Sequence, residues 1–407
     1  MLADSTLAFP QQLLKLGNTF VSKDSAPSCP VDSPISCSIS NADAQNSCCY
    51  ESPGGILLQT QFWDYSPAVG ADDAFTLHGL WPDNCDGTYA QFCDSSLNLK
   101  GDVKSIIVDQ YKDQALYDLM VANWKNYNGN DESLWEHEYN KHGTCIRTLN
   151  PKCLGDAASN QNIYQFYKIT EALYSKLPTY KFLTDAGIHP DPSATYTKKQ
   201  IADALSAGFG GKNVYFKCDN KNALQEVWYF HHLRGSILGE DFIQIDSLQG
   251  SRCPDSGIKW IPKSKSNPGD GGNPSNPSNP NPPLDAVASG YLKLTNNPGC
   301  LISAGNWYST GTCATYRVQE SQFGGYNLKT SKGFCGFDQN NDFACGSQYQ
   351  ASKYQFQYDS SSGQISYGGK SDWCYDKRNS HGGGNQLQIP VKLDDGNCGT
   401  TFKLYIK

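Results

Sequence analysis

The stretch Trp135–Cys145 reads WEHEYNKHGTC, and an earlier one, Phe75–Cys85, reads FTLHGLWPDNC. Taken as a helix closed by Gly143 just past its cap, the first gathers unlike ionisable groups. At about 100° per residue, His137, Glu138, Lys141 and His142 fall within one arc of about 140°. Two imidazoles, a carboxylate and an ammonium then face one spot. The earlier stretch supplies a further imidazole, His78, and an aromatic, Trp81.

A zinc-protease motif needs H-E-x-x-H, with imidazoles four residues apart reaching one ion. Here the spacing is five, and Lys141 sits between the two histidines, where it would repel a cation. No metal and no cofactor is expected. Without metal, two or three imidazoles beside a lysine and a glutamate suit phosphoryl transfer within RNA. A 2′-hydroxyl must lose a proton and a 5′-oxygen must gain one, and histidine titrates in the right range for both. Lysine supplies charge to the developing oxyanion.

Cysteine usage sets the compartment. Sixteen cysteines, one adjacent pair (Cys48 and Cys49) and no C-x-x-C knuckle read as disulfides, hence an oxidising environment, secreted or in a vacuolar lumen. Within the N-terminal segment 1–27, the first 25 residues lack the basic start and continuous apolar stretch of a signal peptide, so either a signal has been removed or the address is read elsewhere. No apolar run approaches the roughly 20 residues of a membrane span. Net charge is −7, which argues against a scaffold that grips nucleic acid through a basic surface, but not against an enzyme that must release its product.

The chain divides at 262–283, PKSKSNPGDGGNPSNPSNPNPP, a Pro/Asn/Ser-rich linker that cannot build a core. Ten cysteines precede it and six follow it, so each side can close its own bridges. Residues 28–261 mix an amphipathic helix (Ile163 to Leu177) and a less regular one (Val103 to Asn126) with strands at Gly55–Trp63, Asn213–Cys218, Gln225–Leu233 and Asp241–Asp246. That order predicts an α+β fold on a largely antiparallel central sheet. Residues 284–407 have short strand-like runs (Tyr291–Leu294, Tyr354–Tyr358, Gln386–Ile389 and Phe402–Ile406) and no convincing helix, predicting a small disulfide-rich all-β domain. This module is expected to stand off the catalytic half and to be dispensable for chemistry. Lone histidines are more often structural, so His189, His231, His232 and His381 are read as surface or packing residues.

HGLWP at 78–82 and the E-H-E-x-x-K-H-G-T-C run at 136–145, some sixty residues apart, resemble the paired active-site motifs of the ribonuclease T2 family, over roughly Ser28 to Trp260. The resemblance implies an endoribonuclease acting on single-stranded RNA with low base specificity, leaving 2′,3′-cyclic phosphates and then 3′-phosphates. It implies His78 as general acid, His142 as general base, His137 as phosphate holder, and Glu138 with Lys141 polarising the phosphorane. Trp81 and Tyr89 would sandwich a base and Asp83 would accept from its amine. Gln61 would belong to a second base site, where Leu134 replaces the usual aromatic and Asp64 to Pro67 read as an insertion. Fungal-type members imply the bridges Cys29–Cys49, Cys37–Cys85, Cys48–Cys153, Cys93–Cys145 and Cys218–Cys253. The C-terminal half resembles the extension of vacuolar or wall-associated fungal members, implying a polysaccharide or cell-wall contact through 284–407, with Trp307 and Trp373 either stacking sugars or packing. The expected molecule is a monomer. A binding protein that has lost catalysis, and a wall binder whose nuclease is secondary, remain the competing readings.

Overall fold

The computed structural model describes residues 29–39, 48–154, 159–263, 286–310, 312–321, 323–375, 388–396 and 398–407. The segment 1–27, residues 264–283 of the linker and His381 lie outside them.

The catalytic half is built on a five-stranded antiparallel sheet. Its strands are β1 (Ile56–Phe62), β2 (Thr76–Asp83), β3 (Tyr215–Cys218), β4 (Leu224–Leu233) and β5 (Phe242–Gln244). β1 lies between β2 and β4, and its first six residues, ILLQTQ, are buried. Both faces are covered, which is why β1 shows no hydrophobic alternation. Leu57, Leu77 and Val227 join the main core with the helices, whereas Ile56, Leu58, Tyr215 and Phe230 form a smaller cluster on the other face.

Five helices supply the main core: α1 (Gln114–Asn123), α2 (Asp131–Lys141), α3 (Gln161–Ser175), α4 (Thr179–Asp185) and α5 (Lys198–Gly208). The helix expected over Val103–Asn126 is two pieces. A wide turn at Ser105–Gln110 gives way to Lys112 in the left-handed region, and Asp113 then caps α1 through the Leu116 amide. α2 starts at Asn130, whose side chain accepts from Ser133 N–H, with Asp131 and Glu132 in its first turn. Gly143 follows the cap as expected, but it opens a 3-10 turn, Gly143–Cys145, instead of taking the left-handed cap conformation. What demands glycine there is contact: a Cβ would lie 2.6 Å from the Tyr139 ring.

Disulfides join Cys29–Cys49, Cys37–Cys85, Cys48–Cys153, Cys93–Cys145 and Cys218–Cys253. Cys85 and Cys145 each end one of the two quoted stretches, so each stretch is tied to the body at its C-terminal end. Residues 286–407 are all β among the described residues. Their eight-stranded sheet runs Phe343–Gly346, Gly333–Phe337, Tyr326–Thr330, Thr315–Glu320, Ala286–Leu294, Leu404–Ile406, Gln364–Ser366, Gln357–Asp359. Cys335–Cys345 bridges two of its strands, while Cys300–Cys313 and Cys374–Cys398 staple the rest of the domain. Trp307, stacked on Tyr375, and Trp373, fully buried, both pack inside this domain. No helix among the described residues is long and apolar enough to cross a membrane.

His189 is exposed, while His231 is 2% exposed between Phe209 and Phe242. Burial pulls the His231 imidazole down from 6.5 to about 4. A base with a depressed folded-state pKa stabilises fully above its unfolded pKa and less as pH falls toward the folded value. Between pH 6.5 and 4 the loss reaches roughly 3 kcal/mol. Glu51 and Glu171, pushed up to about 7 by burial, act in the opposite sense. Comparison with a single variant isolates the histidine. Urea midpoints of the wild type should fall further between pH 7 and pH 4.5 than those of His231→Phe. Equal falls would show that this imidazole is not the sensitive group.

Candidate active site

β2 sits at the sheet edge, where Pro82 removes no needed ladder bond. In a regular strand, residues 78 and 81 would point to opposite faces. The pairing of β1 with β2 shifts, however: Thr60 lies opposite Gly79 and Gln61 opposite Leu77, so His78 is an extra residue. This bulge puts Leu77 and Leu80 both into the core and aims His78 and Trp81 together at α2.

α2 meets them. Its Leu134, Trp135 and Tyr139 enter the core, and Trp135 Nε1 donates to the Trp124 carbonyl at 2.9 Å. Its other face presents His137, Glu138 and Lys141, with His142 as C-cap. Glu138 joins the two stretches. Trp81 Nε1 donates to its Oε2 at 2.7 Å, and His78 Nε2 lies 3.4 Å from its Oε1. Trp81 also stacks on His142, with ring centroids 5.0 Å apart and planes 17° apart. The His78 backbone is held from behind by Trp124 Nε1, 2.7 Å from its carbonyl, and its ring stacks on Phe62 at 3.9 Å.

Gly79 was not singled out by the sequence reading, and it permits this junction. A Cβ there would lie 1.9 Å from Glu138 Oε2 and 2.9 Å from Trp81 Nε1.

The expectation that residues 284–407 stand off the catalytic half is overturned. Phe323 stacks on His137, centroids 4.2 Å apart, Lys141 Nζ donates to Gln355 Oε1 at 2.9 Å, and the Gln357 amide donates to the Tyr89 hydroxyl. A composition that excludes a core says nothing about whether the flanking units dock, and here their surfaces fit. His78, His137, Glu138, Lys141 and His142 are all at most 5% exposed. Burial pulls the His137 and His142 imidazoles well below their ordinary value, helped by Lys141, and lowers Lys141 to about 8 against the pull of Glu138 and Asp83. Among the described residues, both ring nitrogens of His78 and His142, and Nε2 of His137, have no hydrogen-bond partner.

Trp81, Asp83 and Tyr89 line a cavity of about 260 Å³ together with Lys141 and His142, and Gln355 and Gln357 close it from the other side. Burial pushes the Asp83 carboxyl well up, against the pull of Lys141. Gln61 is a correction. It faces the helices instead of this cavity: its amide donates to the Leu177 carbonyl and Gln59 Oε1, and its oxygen accepts from Thr179. At 1% exposure it is a buried hydrogen-bond hub outside the lining of this cavity. Asp64, Ser66 and Pro67 line a separate, smaller cavity with Tyr127. Among the described residues, the one trio of metal-ligand atoms close enough together is Cys374, Asp394 and Cys398, whose cysteines are disulfide-bonded, and it lies outside this cluster.

Residues 54–251 match the model of the ribonuclease T2 family, and 285–404 match that of the RNase T2-like C-terminal domain. A Ribonuclease T2-like protein of Debaryomyces hansenii is 50% identical over 375 residues, covering 92% of this chain and 90% of its own. Ribonuclease T2 of Aspergillus oryzae is 46% identical over 241 residues, covering 59% of this chain and 86% of its own. The crystal structure of Actibind, described as a T2 ribonuclease, superposes with a TM-score of 0.56 at 44% identity, covering 58% of this chain and 99% of that one. Relatives of both the short and the extended form therefore align with it, and the chain belongs to the ribonuclease T2 family.

Proposed function

We propose that the five clustered side chains cleave single-stranded RNA by attack of the 2′-hydroxyl on the adjacent phosphate. Family membership makes the chain a metal-independent endoribonuclease. The roles are those the resemblance of the two motifs implies. His142 takes the 2′-proton and His78 returns one to the leaving 5′-oxygen. His137 holds phosphate, and Glu138 with Lys141 stabilises the phosphorane. The observation that carries this is the convergence of β2 and α2, which brings three imidazoles, a carboxylate and an ammonium together with unpartnered ring nitrogens. Trp81, Asp83 and Tyr89 would hold one base. Stacking on an aromatic is worth about 1–3 kcal/mol and tolerates any base, so broad specificity follows.

Products settle the mechanism. RNA should yield 2′,3′-cyclic phosphates, DNA should remain intact because it has no internal nucleophile, and excess EDTA should leave the initial rate unchanged. A cleaved DNA oligonucleotide, or chelator inactivation rescued by zinc, would falsify the proposed route.

Eight disulfides and the family point to an oxidising, secretory compartment. Secretion to the medium and residence in a vacuolar lumen both fit. A polysaccharide or cell-wall contact through 284–407 belongs to the proposal too. It would use exposed rings such as Tyr291, since Trp307 and Trp373 are interior.

A further inference from the structure

We propose that Phe323 and Gly324, at a hairpin tip of the C-terminal domain, form an autoinhibitory plug seated on the catalytic histidines, so that the closed molecule is latent and must open to admit RNA. The inference rests on the catalytic reading above.

The tip joins the paired strands Thr315–Glu320 and Tyr326–Thr330. Ser321 N–H donates to the Gly325 carbonyl at 3.0 Å and Gly324 N–H to the Ser321 carbonyl at 3.1 Å. Gly324 and Gly325 both take the left-handed region, with φ of 76° and 65°. Ser321, Gly324 and Gly325 are thus held in a preformed turn. Phe323, only 5% exposed, lies on His137, whose other side meets Phe92, and it counts within the hydrophobic cluster of the catalytic half. At Gly324 the backbone comes so near His78 that a Cβ would lie 2.7 Å from Cε1 and 3.3 Å from Nε2.

The 2′- and 5′-oxygens at the scissile phosphate must come within about 3 Å of these imidazole nitrogens for proton transfer. Backbone of the tip occupies that approach. Lys141, the group proposed to meet a phosphorane oxygen, is bonded instead to the neutral amide oxygen of Gln355. Burial also favours the neutral forms of His137 and His142, which leaves the closed site short of charged imidazole. Ring nitrogens buried without partners are unfavourable in themselves, so the closed form is sustained by the apolar seat of Phe323 and the flanking hydrogen bonds.

The test uses the full-length chain and two variants, Phe323→Ala, which removes the seated ring, and Gly324→Val, which clashes with His78. Two readouts are taken. One is the initial rate on a dinucleoside phosphate. The other is carbethoxylation of individual histidines by diethyl pyrocarbonate, followed by mass spectrometry with exposed His189 as internal reference. In the wild type, His78, His137 and His142 should react far more slowly than His189. In either folded variant, both readouts should rise by about tenfold or more, as the open population grows. Wild-type site histidines as reactive as His189 would overturn the plug, as would folded variants that react no faster or cleave more slowly. Exposure of the histidines in the variants without RNA cleavage by any of the proteins would uphold the plug and fail the catalytic reading.

Discussion

Replacement of His142 by phenylalanine is expected to lower turnover of a dinucleoside phosphate by about 100- to 10,000-fold, the range lost with a positioned acid or base. The measurement belongs in the Phe323→Ala background, where the site is open. Structure argues that the loss is chemical. The phenyl ring fills the imidazole's place against Trp81, and the backbone bond from His142 N–H to the Glu138 carbonyl at 3.0 Å does not depend on the side chain. No hydrogen bond of the ring to a described residue is forfeited, since both nitrogens are unpartnered among them. Thermal stability should therefore hold while the rate collapses. His78→Phe should lose as much, keeping its stack on Phe62 but losing its approach to Glu138. His137→Phe should chiefly raise KM. A His142→Phe protein retaining more than about a tenth of the reference rate would sink the role assignment.

Periodicity and motif spacing made α2 and the central strands legible, because β1 and β4 are rich in aliphatic and aromatic residues and α2 carries its own cap and charges. They hid β2. Gly79 and Pro82 read as breakers, yet an edge strand tolerates the proline and a bulge uses the glycine. That bulge decides which face His78 takes, and no count of alternating residues reveals it. Gln61 failed for the related reason that its face depends on a register set by a partner strand. α4 and α5 were missed in a stretch too short in period to stand out. The docking of the two halves was invisible for a different reason. Phe323, Gln355 and Gln357 come from separate turns and strands, and their fit to His137, Lys141 and Tyr89 exists only after both units have folded.

Gly79→Ala, a change of one methyl group, is expected to cost about 100-fold in kcat/KM, comparable to the loss from misplacing a catalytic group by about 1 Å. The added carbon would stand 1.9 Å from Glu138 Oε2 and 2.8 Å from its Cδ, well inside contact distance. Glu138 is 0% exposed, so its carboxylate has no solvent to retreat into. Either it leaves the Trp81 indole and His78, or the bulge flattens and turns His78 away. Leaving a buried hydrogen-bonding group unsatisfied costs about 1–3 kcal/mol, so the melting temperature should fall as well. A general loosening of β2 would also lower activity, and a double-mutant cycle with Glu138→Ala separates the two. If the clash acts chiefly through the carboxylate, removing the carboxylate leaves only the contact with Trp81 Nε1 at 2.9 Å, and Gly79→Ala should cost far less in the Glu138→Ala background than in the wild type. Losses that simply add would assign Gly79 to the strand and not to the carboxylate. The expected non-additivity follows from geometry: the methyl group and Oε2 compete for one position at 1.9 Å, and once that competitor is gone only the milder approach to Trp81 Nε1 remains.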